Sequence, residues 1–246
     1  DVPVVFVGFG ANAPEQDWDD YGGIDLTGKL AIYLVNDPDF AAEPQEAVAG
    51  RCGNRRMTYY GRWTYKFEEA ARRGAFGALV IHETEAAGYD WSVAAAGAGE
   101  NVSLANKDPQ ALPVTLQGWL HNDAARELLA AAGHDLDALR NTARQPEFQA
   151  FELEGMLFEA DLEVDITTFD SQNVLGLLPG NERPDEIIMA SAHWDAYGVG
   201  APDEQGRTVR AGANDDALGS AGVLELARVI KAQPAMARSV LFAFWT

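Results

Sequence analysis

Two apolar runs with a helical segment between them constrain the fold of this chain most. The runs are EIIMASA at 186–192 and RSVLFAFWT at 238–246, and both are apolar at nearly every position. Between them, apolar side chains recur at helical spacing, at Val223, Leu224, Leu226, Ala227 and Ile230. Unbroken apolar strands on either side of a helix are typical of a parallel βαβ unit. The pattern therefore predicts an α/β fold for this part of the chain.

The first half of the sequence alternates short apolar runs, such as PVVFVGF and KLAIYLV, with turn-rich stretches. This texture predicts a β-rich module with long loops. Within it, WTYKFEEAARRG has the pattern of a helix that ends at Gly74. Residues 121–145 predict a helical hairpin broken at Gly133, with Asp135 capping the second helix. The caps predicted for the first helix are Asn122 or Asp123.

The pattern changes again after about residue 150. Residues 152–180 alternate apolar and polar side chains in two runs that meet near Asp170 and Ser171. Such alternation predicts half-exposed, antiparallel strands. We therefore place a domain boundary between residues 150 and 170 and divide the chain into residues 1–155 and 156–246.

Composition excludes several classes of protein. The chain has 246 residues, and its 38 acidic against 18 basic side chains give a net charge of -20, which repels nucleic acids and anionic membranes. The apolar runs are too short to span a bilayer. The single cysteine, Cys52, excludes an internal disulfide and a zinc module built from several cysteines. The amino end lacks the layout of a signal peptide, so we expect an excised or processed piece.

A histidine and several carboxylates are predicted to meet at one edge of the sheet. His193 follows the run EIIMASA, while Asn214, Asp215 and Asp216 stand where the next helix begins. Ligands collect at the carboxyl ends of parallel strands. Imidazole and carboxylate without thiolate form the ligand set of a catalytic zinc or similar divalent ion, and Asp195 is placed to orient the histidine. The alternative is that the aspartates are ordinary helix caps and His193 merely ends a strand.

Several segments resemble a known family. NVLGLLPG, ASAHWDAYG, GANDDALGSAGVLELARVI and RSVLFAFWT resemble the core of the clan MH zinc aminopeptidases, which include glutamate carboxypeptidase-like members. DLTGKLAIYLVNDPDF and YYGRWTYKFEEAARRGAFGALVIHETEAAGYDW resemble the protease-associated domain inserted in one branch of that family. The resemblance implies a β-rich protease-associated domain over residues 1–155. Residues 156–246 would be the first, incomplete part of an α/β zinc exopeptidase domain with a mixed, largely parallel sheet.

The resemblance also implies roles for individual residues. His193 would bind one zinc ion, Asp215 would bridge two, and Asp195 would orient His193. Asp216 stands where the family often has asparagine, and Leu218 where it often has serine or another small residue. The implied reaction is hydrolysis of a peptide bond by a metal-bridged water, with aminopeptidase activity favoured over carboxypeptidase activity.

The family's Glu-Glu pair, which supplies the general base and a further ligand, would follow RSVLFAFWT and is not in this sequence. We therefore expect a truncated chain with little or no activity, from a protein that is secreted or periplasmic. Two alternatives stay open. One is a non-catalytic interaction module with the same fold, and the other is a single-zinc acyltransferase of the glutaminyl cyclase type.

The remaining polar and aromatic residues favour structural roles. His82, His121 and His134 have no carboxylate at ligand spacing, and we expect surface or satisfied loop positions for them. The acidic run at 15–25 fails the EF-hand pattern, which predicts a solvated loop rather than a calcium site. One aromatic cluster is expected to pack in a core, with a cleft between domains as the alternative. Its members are Tyr59, Tyr60, Trp63, Tyr65 and Phe67.

Overall fold

The computed structural model describes residues 1–95, 102–105, 114–200, 202 and 205–246. The chain divides into two compact units. The first comprises Asp1–Ala94 and Leu104–Val164, and the second comprises Ala95–Ser103 and Asp165–Thr246.

The first unit is built on a five-stranded sheet. The strands of this unit are β1 (Val2–Gly8), β2 (Asn12–Ala13), β3 (Trp18–Asp19), β4 (Leu30–Leu34), β5 (Gly77–Ile81), β6 (Leu116–Leu120) and β7 (Phe151–Phe158). In the large sheet β6, β5, β4 and β1 lie side by side and parallel, and β7 pairs with β1 antiparallel. The short strands β2 and β3 pair separately. The sheet is thus largely parallel, with an antiparallel strand at one edge.

Helices cover both faces of this sheet. They are α1 (Trp63–Arg72), α2 (Thr84–Ala87), α3 (Trp91–Ala94), α4 (Asn122–Ala131) and α5 (Leu136–Ala143). Because side chains alternate along a strand, Phe6 of β1 packs with Leu129 of α4, while its neighbour Val7 packs on the opposite face with Phe67 of α1. The α/β class is confirmed, although the unit predicted as β-rich carries substantial helix. No helix in the part of the chain that the structure describes is long and apolar enough to cross a membrane.

The helical hairpin is present, but one of its predicted caps is wrong. Asp135 caps α5 as predicted, its carboxylate accepting a hydrogen bond from Ala138 N at 2.8 Å. At α4 the cap is His121, whose Nδ1 accepts from Asp123 N at 3.2 Å. Asn122 is already helical, and its side chain donates to the His82 carbonyl instead. Asn122 and Asp123 therefore lie in the first turn rather than at the cap.

The second unit contains the predicted βαβ arrangement. Its elements are β8 (Val174–Leu178), β9 (Arg183–His193), β10 (Gly198–Val199), β11 (Val209–Arg210), a π-helical turn (Ala213–Ala217), α6 (Leu218–Lys231) and β12 (Arg238–Trp245). β12 lies between β8 and β9, parallel to β9 and antiparallel to β8, so the parallel pair flanking a helix is confirmed. Val223 of α6 is buried against this sheet, but Leu224 and Leu226 are exposed. The buried stripe of α6 is therefore narrower than predicted.

The two alternating runs form antiparallel strands as predicted, but these strands cover less of residues 152–180 than expected. β7 is antiparallel to β1 and β8 is antiparallel to β12, and residues 159–173 form no strand. Alternation shows that a strand has one apolar face, but it does not identify the partner strand. Each run pairs within its own unit.

A buried lysine organises the loops of the first unit. Lys66 of α1 is fully buried, and its Nζ donates to the carbonyl oxygens of Phe9 at 2.6 Å, Tyr60 at 3.1 Å and Asn36 at 3.2 Å. The Phe9 carbonyl follows strand β1, and the Asn36 carbonyl follows strand β4. The Tyr60 carbonyl lies just before helix α1. One ammonium group therefore ties together the ends of two neighbouring strands and the loop that leads into α1.

The aromatic cluster predicted near this region packs within the first unit. The rings of Tyr59 and Tyr60 both lie edge-on to the ring of Tyr65, with centroids 5.0 and 5.2 Å away. Trp63 contacts Phe67 in the same manner at 5.8 Å. Tyr65 and Phe67 are buried as expected of a core, but Tyr59 and Trp63 are exposed, so the predicted packing role holds only for part of the cluster.

The acidic run at 15–25 is only partly solvated, which corrects the prediction. Asp20 is buried, and its carboxylate accepts hydrogen bonds from Ala11 N at 2.9 Å and Trp18 Nε1 at 2.8 Å. Burial raises the pKa of Asp20 to about 7, against the opposing effect of these hydrogen bonds and of the Lys66 charge. Hydrogen bonds from the backbone N–H of Ala11 and the indole N–H of Trp18 thus stabilise the Asp20 carboxylate in the core.

Asp20 should make the stability of the first unit depend on pH. With a folded pKa near 7 and an ordinary unfolded value near 4, the native state holds one proton more between these limits. The free energy of unfolding should therefore fall as pH rises from about 4 to about 7, by up to about 4 kcal/mol. Urea titrations of the wild type and Asp20→Asn across this range would measure the difference. Parallel pH profiles for the two proteins would contradict the prediction.

Candidate metal centre

The predicted site residues lie at the carboxyl end of the parallel strand pair in the second unit. His193 is the last residue of β9 and pairs in register with Trp245 of β12. Asp215 and Asp216 lie in the π-helical turn that leads into α6. Their backbone angles are not helical, and the peptide bond between them is cis. The end of strand β9 and the start of helix α6 thus meet at one edge of the sheet.

The structure brings three of the predicted side chains into contact. His193 Nε2 lies 2.8 Å from Asp215 Oδ1. On the other side of the ring, His193 Nδ1 lies 3.2 Å from both the carbonyl oxygen and Oδ1 of Asp195. The side chains of His193, Asp195 and Asp215 are 40%, 52% and 58% exposed, so the group is open to solvent.

The two carboxylates change the acidity of the histidine. Partial burial lowers the pKa of His193, but the hydrogen bond to Asp215 and the interactions with Asp195 outweigh it, so the pKa is raised above its ordinary value. The site therefore favours positive charge between the two aspartates. A bound cation would meet the same electrostatic preference.

Sequence reasoning missed Tyr197. Its hydroxyl donates to Asp215 Oδ2 at 3.3 Å, so each oxygen of that carboxylate has a partner. Burial and the neighbouring Asp215 charge raise the pKa of Tyr197. The signal available in the sequence was its place in the loop directly after His193.

Two further residues contact the histidine through its backbone. Asp216, predicted to lie near His193 at this edge, accepts hydrogen bonds from Gly219 N at 3.0 Å and from His193 N at 3.2 Å. The hydroxyl of Ser220 donates to the carbonyl oxygen of His193 at 2.9 Å. No pattern in the sequence singled out Ser220, since a serine in the first turn of a helix is common.

The side chains of His193 and Asp215 offer the types of donor atom that divalent cations bind. An imidazole nitrogen and a carboxylate oxygen face each other within the span of two ligand bonds of about 2.0–2.2 Å each, and no thiolate is near them. Within the described ranges, no three His, Cys, Asp or Glu side chains are grouped so as to hold a metal ion. His193 Nε2 and Asp215 Oδ1 are therefore two donors of the kind that a divalent cation accepts, and Asp195 lies beside the other ring nitrogen.

Of the other histidines, His82 departs most from the prediction. It is 2% exposed, and its Nε2 finds no hydrogen-bond partner in the part of the chain that the structure describes. The rings of Tyr89, Trp91 and Trp119 surround it, and burial lowers its pKa. The expectation of a surface or satisfied loop position is wrong for His82, because the sequence did not show that aromatic residues would enclose it.

The region that contains His193 and Asp215 is similar in sequence to one family of enzymes. Residues 173–246, which contain β8, β9, α6 and β12, match Peptidase family M28. This part of the chain therefore resembles hydrolases that act on peptides. The match covers less than a third of the 246 residues.

The solved structures that match the chain include two aminopeptidases. The aminopeptidase from Aneurinibacillus sp. strain AM-1 is 21% identical, with a TM-score of 0.35, over 99% of this chain and 42% of its own. BSAP, a zinc aminopeptidase from Bacillus subtilis, is 16% identical, with a TM-score of 0.26, over 99% of this chain and 40% of its own. The chain thus spans less than half the length of either protein. No curated protein sequence matches it.

Proposed function

We propose that the second unit belongs to a zinc-dependent exopeptidase of the M28 type that removes amino-terminal residues from peptides. The observation that carries the proposal is the 2.8 Å contact between His193 Nε2 and Asp215 Oδ1, at the ends of parallel strands, within the region that matches a peptidase family. Zinc is favoured over harder cations because an imidazole nitrogen is one of the donors.

Each side chain then has a defined task. His193 would hold the metal through Nε2, while Asp195 would accept a hydrogen bond from Nδ1–H and so fix the tautomer and orientation of the ring. Asp215 would hold the metal through its carboxylate. Bound zinc would supply Lewis acidity for attack on a peptide carbonyl. No residue of this chain is assigned as the general base.

The proposal extends to the remainder of the chain. The first unit, predicted as residues 1–155, is proposed to be a protease-associated domain, and the resemblance of its sequence supports this. Peptides are the proposed substrates, and the proposed location is outside the cytoplasm, secreted or periplasmic. Both follow from the family resemblance alone.

The peptidase proposal is tested by an activity assay on the whole protein that contains this sequence. That protein should release amino-terminal residues from aminoacyl-4-nitroanilides in a zinc-dependent manner, and Asp215→Asn should abolish the release. The matched control is Asp137→Asn, which changes an exposed aspartate of the first unit paired with Arg126. Turnover that survives Asp215→Asn would refute the peptidase proposal. Metal analysis showing one bound ion instead of two would favour the acyltransferase alternative.

For residues 1–246 on their own we expect little or no hydrolysis with added zinc. The described residues bring only two direct donors together, and catalytic zinc sites usually have three protein ligands. The measurement is the same nitroanilide assay at saturating zinc. Robust turnover by this chain would show that the expectation is wrong while leaving the peptidase proposal intact.

A further inference from the structure

We propose that Ser220 and Asp216 are positioning residues, which clamp the backbone of His193 so that its ring faces Asp215 before any metal binds. The inference rests on the proposed function, because it concerns the same pair of ligands. It adds residues that act through the histidine without touching the metal.

The first step concerns the peptide groups of His193. Its N–H donates to Asp216 Oδ2 at 3.2 Å, and its carbonyl oxygen accepts from the Ser220 hydroxyl at 2.9 Å. Both partners come from the start of the helix that follows Asp215. The backbone of His193 is therefore held on both sides by side chains from the segment that carries the other ligand.

The second step concerns the other oxygen of Asp216. It accepts from Gly219 N at 3.0 Å, so one carboxylate joins β9 to the first turn of α6. A Cβ placed on Gly219 would collide with this carboxylate. The absence of a side chain at Gly219 is thus what admits Asp216 to its position, an observation independent of the hydrogen bonds.

The third step is the consequence for the ligands. His193 and Asp215 are 22 residues apart in sequence, and their mutual position depends on how the end of β9 meets the start of α6. Ser220 and Asp216 fix that junction with two hydrogen bonds to His193, and a third bond, from Gly219 N, holds Asp216 itself in place. Ligands that are held in place beforehand lose less freedom when a metal binds, so affinity rises.

Zinc affinity of the 246-residue chain, measured by competition with a chromophoric chelator, tests the clamp. Ser220→Ala should weaken zinc binding by about tenfold or more, as is typical when a partner of a ligating histidine is removed. Ser220→Thr, which keeps the hydroxyl, should restore it. Gly219→Ala should weaken binding as well, since it displaces Asp216 without touching Ser220.

Ser239→Ala is the matched control. Ser239 is buried, and its hydroxyl donates to the Pro184 carbonyl at 2.7 Å, at the opposite end of the same strand β9. Its replacement should lower thermal stability but leave zinc affinity unchanged. If Ser239→Ala and Ser220→Ala weaken zinc binding equally, or if Ser220→Thr fails to rescue, the clamp is disproved.

Failure of the proposed function can be distinguished from failure of the clamp. If the protein that contains this sequence binds no zinc, or binds it equally well after His193→Ala, the proposed function fails. Crystal structures of the metal-free wild type and Ser220→Ala then decide the inference. Loss of the contact between His193 Nε2 and Asp215 Oδ1 only in the variant supports the clamp, and its retention in both overturns the clamp.

Discussion

His193→Ala should reduce the zinc affinity of this chain by at least about a hundredfold, because even the partners of ligating histidines are typically worth ten- to a hundredfold. The variant removes the nitrogen that faces Asp215 Oδ1 at 2.8 Å. Asp215→Asn should have a comparable effect, since it removes the carboxylate charge. Asp195→Asn should cost about tenfold, because it disturbs only the orientation of the ring. Isothermal titration with zinc at constant pH would measure all three.

His134→Ala is the control for this series. His134 belongs to the first unit, where its ring contacts Phe151 with centroids 5.1 Å apart. Its removal should leave the zinc affinity at the level of the wild type. An equal loss of affinity in His134→Ala and His193→Ala would mean that zinc binds elsewhere or nonspecifically, and the proposed metal centre would then be abandoned.

Lys66→Met should destabilise the first unit by about 3–5 kcal/mol, the range expected when one partner of a buried charged interaction is removed. Methionine has a similar length but no donor, so the carbonyl oxygens of Phe9, Asn36 and Tyr60 would lose the ammonium group that they contact. The charge of Asp20 would also lose the compensation that Lys66 provides. Urea denaturation followed by circular dichroism would report the loss.

The control for Lys66 is Lys29→Met in the same unit. Lys29 pairs with Glu152 at 2.9 Å, with both side chains partly exposed, so its replacement should cost no more than about 1 kcal/mol. If both variants lowered the free energy of unfolding equally, the contacts of buried Lys66 would stabilise the unit no more than an exposed ion pair does.

The main features of the second unit could be predicted from sequence because they follow from strong local patterns. Unbroken apolar runs on both sides of a helical segment indicated the parallel pair β9 and β12. The rule that parallel strands end at one edge then placed His193 and Asp215 near each other. Their roles as metal ligands remain predictions.

Other features depend on tertiary contacts and could not be predicted in this way. Helix α4 begins at Asn122. The residue before it, His121, is therefore the cap, rather than Asn122 or Asp123 as predicted. The burial of His82 depends on the rings of Tyr89 and Trp91, from the segment that follows it, and of Trp119, from the neighbouring strand β6. Ser220 became visible only when the folded backbone placed it beside the carbonyl of His193.

Carbonyl oxygens gathered around one positive charge are also how proteins hold a potassium ion. In the first unit the charge at such a position is the ammonium group of Lys66, which the polypeptide itself carries. A covalently attached cation cannot be removed by dilution, dialysis or a chelator. The loops that it joins should therefore keep their arrangement when zinc is stripped from the protein, so metal depletion can be applied to the second unit without dismantling the first.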